Sequence, residues 1–456
     1  MLNKKTVVLA GRPNVGKSTL FNRITKSRSA IVGNESGLTR DRHYSTVTES
    51  GVEFFLVDTG GLDTMADSGV QAEMTRQSRQ AIDEADLVLF LVDVREGLTF
   101  QDHAISKILR KVNAEVWVIV NKAEGMSRDA ACVDFYELGL GDPLVISSAH
   151  GDGVGELVSL VTSAIGNRED QEGEIIQRDD SLYPKMAVVG RPNVGKSTLV
   201  NSILGEERVI AYDQPGTTRD SIEIEFEREN SRYLIVDTAG VRRRGKIDEK
   251  IEKFSVIKAL QSVDQSNVVL LVLDSTEGVT DQDVSLAAYA IESGRAMVVV
   301  FNKWDLCSAD AKSFMERSFS RKLGFLDFAR VHRLSAKSGS GIKGLLKSVD
   351  QAFRSARANL PTPKLSRVLK LATERQTPPR KGYSRPKLRY AHQGGMNPPL
   401  VVIHGNSLNQ IPDSYRRYLE GFFAEAFKLR GTPLKISFKQ SENPFLSRDA
   451  KRRKKR

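Results

Sequence analysis

Short apolar runs recur along the first 360 residues, each followed by a longer stretch with helical patterning. The runs are TVVLA (6–10), EFFLVDT (53–59), DLVLFLVD (86–93) and EVWVIVNK (115–122), then MAVVG (186–190), YLIVDT (233–238), NVVLLVLD (267–274) and AMVVVFNK (296–303). A strand wetted on one face alternates apolar and polar residues. Continuous Val, Ile and Leu instead fit parallel strands covered on both faces, and the segments between them are long enough for crossover helices. The pattern predicts two doubly wound α/β sheets in tandem.

Past residue 360 the pattern changes. Pro361 and Pro363 open a region that reads as a helix over 364–375, strands over 387–392 and 400–404, a helix over 413–429 and a strand over 434–438, a small α+β domain. Gly166 to Tyr183, GNREDQEGEIIQRDDSLY, has little to bury and reads as an acidic linker. The expected organisation is a first α/β domain over 1–166, a linker over 167–183, a second α/β domain over 184–356, a third domain over 357–440 and a basic tail over 441–456. The tail ends in RDAKRRKKR, which has no apolar face and is expected to be disordered alone.

Composition narrows the class. Of 456 residues 40% are hydrophobic and 27% charged, and no apolar run approaches the roughly 20 residues of a membrane span. Met1 to Lys5 runs directly into a strand without a signal-like apolar region, so a cytoplasmic protein is expected. Cys132 and Cys307 lack metal-ligand spacing and read as ordinary thiols. The net charge of +11 is unevenly placed: residues 361–456 hold 22 Lys and Arg against 6 Asp and Glu, while the preceding 360 hold 46 against 51. All the basic excess therefore sits in the last fifth, which points to contact with phosphate backbones through a terminal module.

The two α/β domains are copies. GRPNVGKSTL occurs unchanged at Gly11–Leu20 and Gly190–Leu199, and Thr39/Thr218 and Asp58/Asp237 keep the same separation of 179 residues. Asp93/Asp274 and Asn121/Asn302 are 181 apart, which places a two-residue insertion just after Asp58 and Asp237.

Each decapeptide satisfies G-x-x-x-x-G-K-[ST] between a strand and a helix, the context a phosphate-binding loop requires. Gly11, Arg12, Pro13, Asn14, Val15, Gly16, Lys17, Ser18 and Thr19 form the first cradle, and Gly190, Arg191, Pro192, Asn193, Val194, Gly195, Lys196, Ser197 and Thr198 the second. Lys17 and Lys196 can reach the β- and γ-phosphates, and Ser18 and Ser197 can ligate Mg²⁺. About forty residues on stand Asp58-Thr59-Gly60-Gly61 followed by Leu62, and Asp237-Thr238-Ala239-Gly240 followed by Val241. The carboxylates suit the magnesium shell, and Gly61 and Gly240 allow close approach to the terminal phosphate. Thr39 and Thr218 can complete Mg²⁺ coordination in the triphosphate state.

Base choice comes from Asn121-Lys122-Ala123-Glu124 and Asn302-Lys303-Trp304-Asp305, each at a strand's carboxyl end. A carboxylate there accepts a bidentate pair from guanine N1–H and N2–H₂, which favours GTP over ATP. Ser148-Ala149 and Ser335-Ala336-Lys337 suit the loop beneath the base. Glu124 is one methylene longer than the usual aspartate, so the first site is expected to hold guanine more loosely. Leu62 and Val241 stand where a water-orienting glutamine is often found, so hydrolysis is expected to rest on phosphate and metal positioning plus an added cation.

Tandem G domains, the doubled GRPNVGKSTL, DTAGVRRRGK at 237–246 and PKLRYAHQGGMNPPLVVIHGN at 386–406 together resemble the EngA (Der) family of bacterial GTPases, over residues 1 to 440. The resemblance implies two tandem P-loop G domains and a KH-like third domain, and a slow GTPase (GTP to GDP and phosphate) of large ribosomal subunit assembly. It further implies that Asn14 and Asn193 help hold a stimulating K⁺. The partners so implied are the large subunit and its rRNA, with no DNA, no stable membrane association and a monomeric chain, and nucleotide state would set the domain arrangement. Ser36, where Pro215 stands in the second copy, leaves the first switch less rigid. The third domain has no GXXG loop, so shape and phosphate contacts are expected there instead of ordinary KH reading. Tyr383, Tyr390, Tyr415 and Tyr418 lie among Lys and Arg, some as core and some as candidate stacking residues, while His392 and His404 read as strand histidines. The run Arg242–Arg244 with Lys246 occurs only in the second copy and is expected to form a nucleotide-controlled basic contact. Two rivals stay open: a tRNA-modifying or membrane-associated GTPase, and an RNA-binding scaffold whose first repeat does not hydrolyse GTP.

Overall fold

The computed structural model describes residues 4–28, 44–59, 76–166, 183–205, 209–211, 222–228, 231–237, 256–380 and 385–440. The chain divides into two compact units, residues 1–180 with 248–261 and residues 181–247 with 262–456.

The first repeat runs β1 (Lys5–Ala10), α1 (Lys17–Arg28), β2 (Tyr44–Glu49), β3 (Val52–Asp58), α2 (Arg76–Asp83), β4 (Leu87–Asp93), α3 (Phe100–Leu109), β5 (Glu115–Asn121), α4 (Arg128–Cys132), β6 (Leu144–Val145) and α5 (Val154–Gly166). Its sheet has the order β2-β3-β1-β4-β5-β6, with β1 parallel to both β3 and β4. Every residue of β4 is buried, which is why its sequence does not alternate. The edge strand β2 breaks the all-parallel expectation by pairing antiparallel with β3. It reads YSTVTE, burying only Tyr44 and Val47, a pattern too polar to announce itself beside the apolar runs.

The second repeat has β7 (Lys185–Val189), α6 (Lys196–Leu204), β8 (Val209–Ala211), β9 (Ile222–Arg228), β10 (Ser231–Asp237), α7 (Val256–Gln265), β11 (Val268–Asp274), α8 (Asp281–Glu292), β12 (Ala296–Asn302), α9 (Ala309–Lys322), β13 (Arg330–Arg333) and α10 (Ile342–Ala356). Seven strands form its sheet, in the order β13-β12-β11-β7-β10-β9-β8, with β9 antiparallel to β10 and the edge strand β8 antiparallel to β9. In both sheets the chain order reverses beside the strand that precedes the phosphate-binding loop. Ligands of open α/β sheets bind at such a switch point, outside the carboxyl ends of the strands.

The third domain comprises α11 (Thr362–Arg375), β14 (Lys387–Gly395), β15 (Leu400–Asn406), α12 (Asp413–Ala426) and β16 (Lys435–Gln440). β15 lies between β14, antiparallel, and β16, parallel. One face of the sheet, through Ala391, Val401, Ile403 and Ile436, packs on Leu365, Val368, Leu369 and Ala372 of α11 and on Tyr415, Leu419 and Phe423 of α12. α12 stops at Ala426 instead of the expected Leu429, because Lys428 turns left-handed (φ 55°) and Leu429 N donates back to Ala424 O at 2.9 Å. That i→i−5 bond is the usual helix-ending device.

Within the second compact unit, the third domain meets the second G domain mainly backbone to backbone. Met297 N donates to Gly431 O (2.7 Å), Gly431 N to Phe328 O (2.8 Å) and Asn397 N to Ala356 O (2.8 Å). Lys435 Nζ adds a bond to Glu292 O at 2.8 Å. The approach leaves no space for side chains: a Cβ on Gly431 would lie 2.5 Å from the Ala352 Cβ, and one on Gly294 2.4 Å from Pro398 Cδ.

Cys132 and Cys307 are buried, Cys132 Sγ donating to Pro143 O and Cys307 Sγ to Lys303 O. Among the described residues no helix is long and apolar enough to cross a membrane. The greater part of the linker (167–182), the tail (441–456) and the segments after Asp58 and Asp237 that contain the two-residue offset lie outside the described residues.

Candidate nucleotide sites

At the end of β1 the backbone must turn sharply and present N–H groups outward, and glycines make this possible. Gly11 has φ 145° and Gly16 φ 101°; a Cβ on Gly11 would lie 2.4 Å from Leu91 O, and one on Gly16 2.3 Å from Asn121 Nδ2. Gly190 and Gly195 repeat this, at 2.3 Å from Val272 O and 2.3 Å from Asn302 Nδ2. Between them Asn14 (φ 67°) and Asn193 (φ 61°) are left-handed, the alternation that turns successive amides toward one anion. Neither α1 nor α6 has an acidic residue in its first turn, and Gly195 supplies no side-chain cap. The helix amides and the positive end of the dipole thus remain available to phosphate.

The buried Lys17 donates its Nζ to the loop carbonyls Gly11 O (2.8 Å) and Arg12 O (2.9 Å), and Lys196 donates to Arg191 O (2.7 Å). Ser18 Oγ donates to Asp58 Oδ2 at 2.6 Å, so the hydroxyl and carboxylate expected to share a magnesium shell meet at one point. That pair fits a hard oxygen-ligated cation beside bound phosphate. Thr59 Oγ1 ties the end of β3 to Leu9 O at 2.8 Å. Thr39, Gly60, Gly61, Leu62, Thr218, Thr238, Ala239, Gly240 and Val241 lie outside the described residues, as do Ser36, Pro215, Arg242–Arg244, Lys246 and the side chain of Asp237.

One asparagine joins the phosphate and base ends of each site. Asn121 Nδ2 donates to Val15 O at 2.7 Å, and its Oδ1 accepts from Ser148 N at 2.9 Å. Asn302 does the same with Val194 O (2.7 Å) and Ala336 N (2.9 Å). Lys122 and Lys303 follow in left-handed conformation and pair with Asp93 and Asp274, each at 2.6 Å. Burial alone would raise the Asp274 carboxyl, but hydrogen bonds from Lys303 and Thr276 outweigh it and hold it below the ordinary value.

The carboxylates expected to read guanine differ. Glu124 accepts from Ser147 Oγ (2.9 Å) through Oε2 and from Arg95 Nη2 (2.6 Å) through Oε1, and Arg95 Nε also donates to Lys122 O (3.3 Å). Its own backbone amide, Ser147 and Arg95 hold the Glu124 carboxyl below the usual glutamate range. Asp305 is exposed and has no hydrogen bond or ion pair among the described residues. Trp304 instead packs near Phe301, with Lys312 and Arg333 against its ring. Lys337 is exposed, and Ala149 O takes a hydrogen bond from Arg23.

Arg12 and Arg191 contribute loop backbone, while their side chains turn away from the cradle. Arg12 Nε bonds Asp102 Oδ2 (3.3 Å) and Nη1 meets Glu96 (2.5 Å); Arg191 pairs with Asp283 (3.1 Å) and Glu277 (2.8 Å). Asp102 and Asp283 also close capping boxes with Thr99 and Thr280, so each arginine fastens its loop to the start of α3 or α8. Asp93, Arg95, Asp102, Asp274 and Asp283 were not among the expected site residues. The signal was present, since Glu96/Glu277 and Asp102/Asp283 share the 181-residue spacing.

Two P-loop sheets with the phosphate and base ends tied by one asparagine define a GTPase with two nucleotide domains. A family model described as "50S ribosome-binding GTPase" matches residues 6–122 and 185–303, and one described as "KH-domain-like of EngA bacterial GTPase enzymes, C-terminal" matches 359–439. GTPase Der of Chromobacterium violaceum is 56% identical over 442 residues, covering 97% of this chain and 93% of that protein. GTPase Der of Bordetella pertussis is 56% identical over 445 residues (97% and 99% covered), and that of Neisseria meningitidis serogroup A 54% over 452 (99% and 92%). The chain belongs to the Der (EngA) family of GTPases, with two G domains and a KH-like third domain.

Proposed function

We propose that this GTPase acts in assembly of the large ribosomal subunit in the cytoplasm, as a monomer without stable membrane association or DNA binding, with nucleotide state setting the domain arrangement and the rRNA contact. The reading rests on one juxtaposition: two intact phosphate cradles precede a domain that holds the chain's basic excess. The family model's wording and the named relatives support the ribosomal direction. The proposed domain limits are those drawn above, 1–166, 184–356 and 357–440.

In this reading Lys17 and Lys196 neutralise the β- and γ-phosphates, and the loop amides and helix N-termini orient them. Ser18, Asp58 and Thr39 would hold Mg²⁺ in the first site, and Ser197, Asp237 and Thr218 in the second. When bound there, Mg²⁺ would supply neutralisation of phosphate charge. Asn14 and Asn193, exposed beside the cradle, would hold K⁺, whose charge substitutes for an arginine at the transition state. Gly61 and Gly240 let the following segments answer to the γ-phosphate, and Glu124 and Asp305 select guanine. Turnover is slow because neither Leu62 nor Val241 can orient water.

The test is co-sedimentation of the full chain with separated ribosomal subunits in GTP and in GDP, with Lys17→Ala and Lys196→Ala run beside it. Salt-sensitive association with the large subunit that changes with nucleotide is expected; equal association with both subunits, or indifference to nucleotide, defeats the reading. Turnover measured in potassium and in sodium checks the asparagines, and equal rates would remove the K⁺ role.

A further inference from the structure

The described tyrosines of the third domain separate into two kinds, while Tyr383 lies outside the described residues. Tyr415 is buried with its hydroxyl on Gln376 O (2.6 Å), and Tyr418 bonds Ala372 O (2.9 Å), so both belong to the helix-covered core. Tyr390 lies on the opposite face of the sheet and is 47% exposed. Its ring stacks on that of its cross-strand partner His404, with centroids 4.5 Å apart and planes 3° from parallel. His392, two residues along the edge strand β14, lies 5.0 Å from His404 and 6.4 Å from Tyr390. The three rings form a compact aromatic cluster, with Tyr390 face to face on His404, at the end of the sheet away from the second G domain, because that contact is made through Asn397, Gly431 and Lys435 at the other end. Burial, with His392 and Lys439 nearby, keeps the His404 pKa below the ordinary histidine value.

The charge around these rings has one sign. β14, β15 and β16 contain Lys387, Arg389, Lys435 and Lys439 and no Asp or Glu. The four acidic residues of 361–440 are Glu374 on α11 and Asp413, Glu420 and Glu425 on α12. Lys439 pairs in register with His404, Lys387 with Asn406, and Arg389 sits in the bulge beside Tyr390. These three cations are exposed and make no ion pair among the described residues. An exposed ring stacked on a neighbour and rimmed by unpaired cations, on strands without a carboxylate, matches the two parts of a single-stranded nucleotide, its base and its phosphate. A rigid duplex keeps its bases stacked inside and can meet only the cations.

We infer that Tyr390, backed by His404 and His392, is a stacking platform for an unpaired RNA base, with Lys387, Arg389 and Lys439 holding the flanking phosphates. The inference deepens the proposed rRNA contact and rests on it: it assigns the contact to bases outside helices and to the open face of the sheet.

The test uses the full-length chain and fluorescence anisotropy with a short labelled oligouridine and with a blunt RNA duplex. Tyr390→Ala is expected to weaken oligouridine binding about tenfold, the effect of losing one stacked base, and to leave duplex binding unchanged. Tyr390→Phe, which keeps the ring, should restore oligouridine affinity, and Lys439→Ala should weaken both RNAs and lower the salt slope by about 1. Wild-type affinity in Tyr390→Ala, equal loss on both RNAs, or failure of the phenylalanine variant to rescue would each overturn the platform. If Tyr390→Ala binds oligouridine normally while nucleotide-dependent sedimentation with the large subunit persists, the platform alone is wrong. If the wild-type chain binds neither RNA nor subunit, the underlying reading falls with it.

Discussion

The two G domains have the same phosphate end and different base ends. Around the phosphates the match extends to second neighbours: the same glycine clearances, the same asparagine linking three loops, the same arginine tied to a capping aspartate. At the base, Glu124 is gripped through both oxygens, whereas Asp305 stands open. The residue two places beyond the β4 and β11 aspartates accounts for much of this. Arg95 reaches out to Glu124, while Thr276 in the matching place turns inward and donates to Asp274 at 2.6 Å. In the proposed reading guanine pairs with both carboxylate oxygens, and it would then enter the second site against water and the first against a salt bridge. Duplication left the part that handles phosphate fixed and allowed the part that sets affinity to drift.

The largest effects should fall where the copies agree. Gly16→Ala and Gly195→Ala force a Cβ to 2.3 Å from an asparagine that is itself buried and doubly bonded, at a φ an L-residue resists. Each should cost about 1–3 kcal/mol and abolish nucleotide binding in its own repeat, read by calorimetry and by fluorescent GDP titration. Unequal losses would break the equivalence of the cradles. Asn121→Ala and Asn302→Ala should come next, each removing two buried hydrogen bonds at about 1 kcal/mol apiece and weakening GDP at least tenfold at that site.

Smaller effects should appear where the copies differ. In a Lys196→Ala background, Arg95→Thr frees one oxygen of Glu124 and should tighten GDP at the first site about three- to fivefold, the scale of an exposed ion pair. Weaker binding would mean that Arg95 aligns the glutamate instead of competing for it. The smallest signal is a titration. The lowered pKa of Glu124 marks a contribution present above the ordinary glutamate value and lost as pH falls through the lowered one. NMR titration should find that pKa moving upward in Arg95→Thr, and no change would assign the shift to the backbone amide and Ser147.

Much of this was legible because it is local. The apolar runs, the glycine-lysine loops and the asparagine-lysine pairs occupy contiguous residues, and their order fixes a sheet with a nucleotide at its switch point. What escaped reading depends on distance. Arg12 looked like part of the cradle, but its partner Asp102 is 90 positions away and turns the side chain elsewhere. Lys122 and Arg95 find Asp93 and Glu124 only because β4 and β5 end side by side. β2 went unread because a half-wet edge strand of Ser and Thr carries almost no apolar signal. Tyr390 and His404, 14 residues apart, become one surface only through antiparallel register.

The seam between the second G domain and the third has a further consequence for how this chain can change. Bonds such as Met297 N to Gly431 O and Asn397 N to Ala356 O involve backbone atoms that every residue except proline carries, so most side-chain exchanges along the seam leave them in place. Gly294 and Gly431, where any added carbon collides, and the side-chain bonds of Lys435 and Ser355 expose the seam to point mutation. Inheritance can therefore rewrite many letters of this junction while the two domains stay joined, and a laboratory seeking to separate them would begin at the two glycines, where added bulk acts most directly.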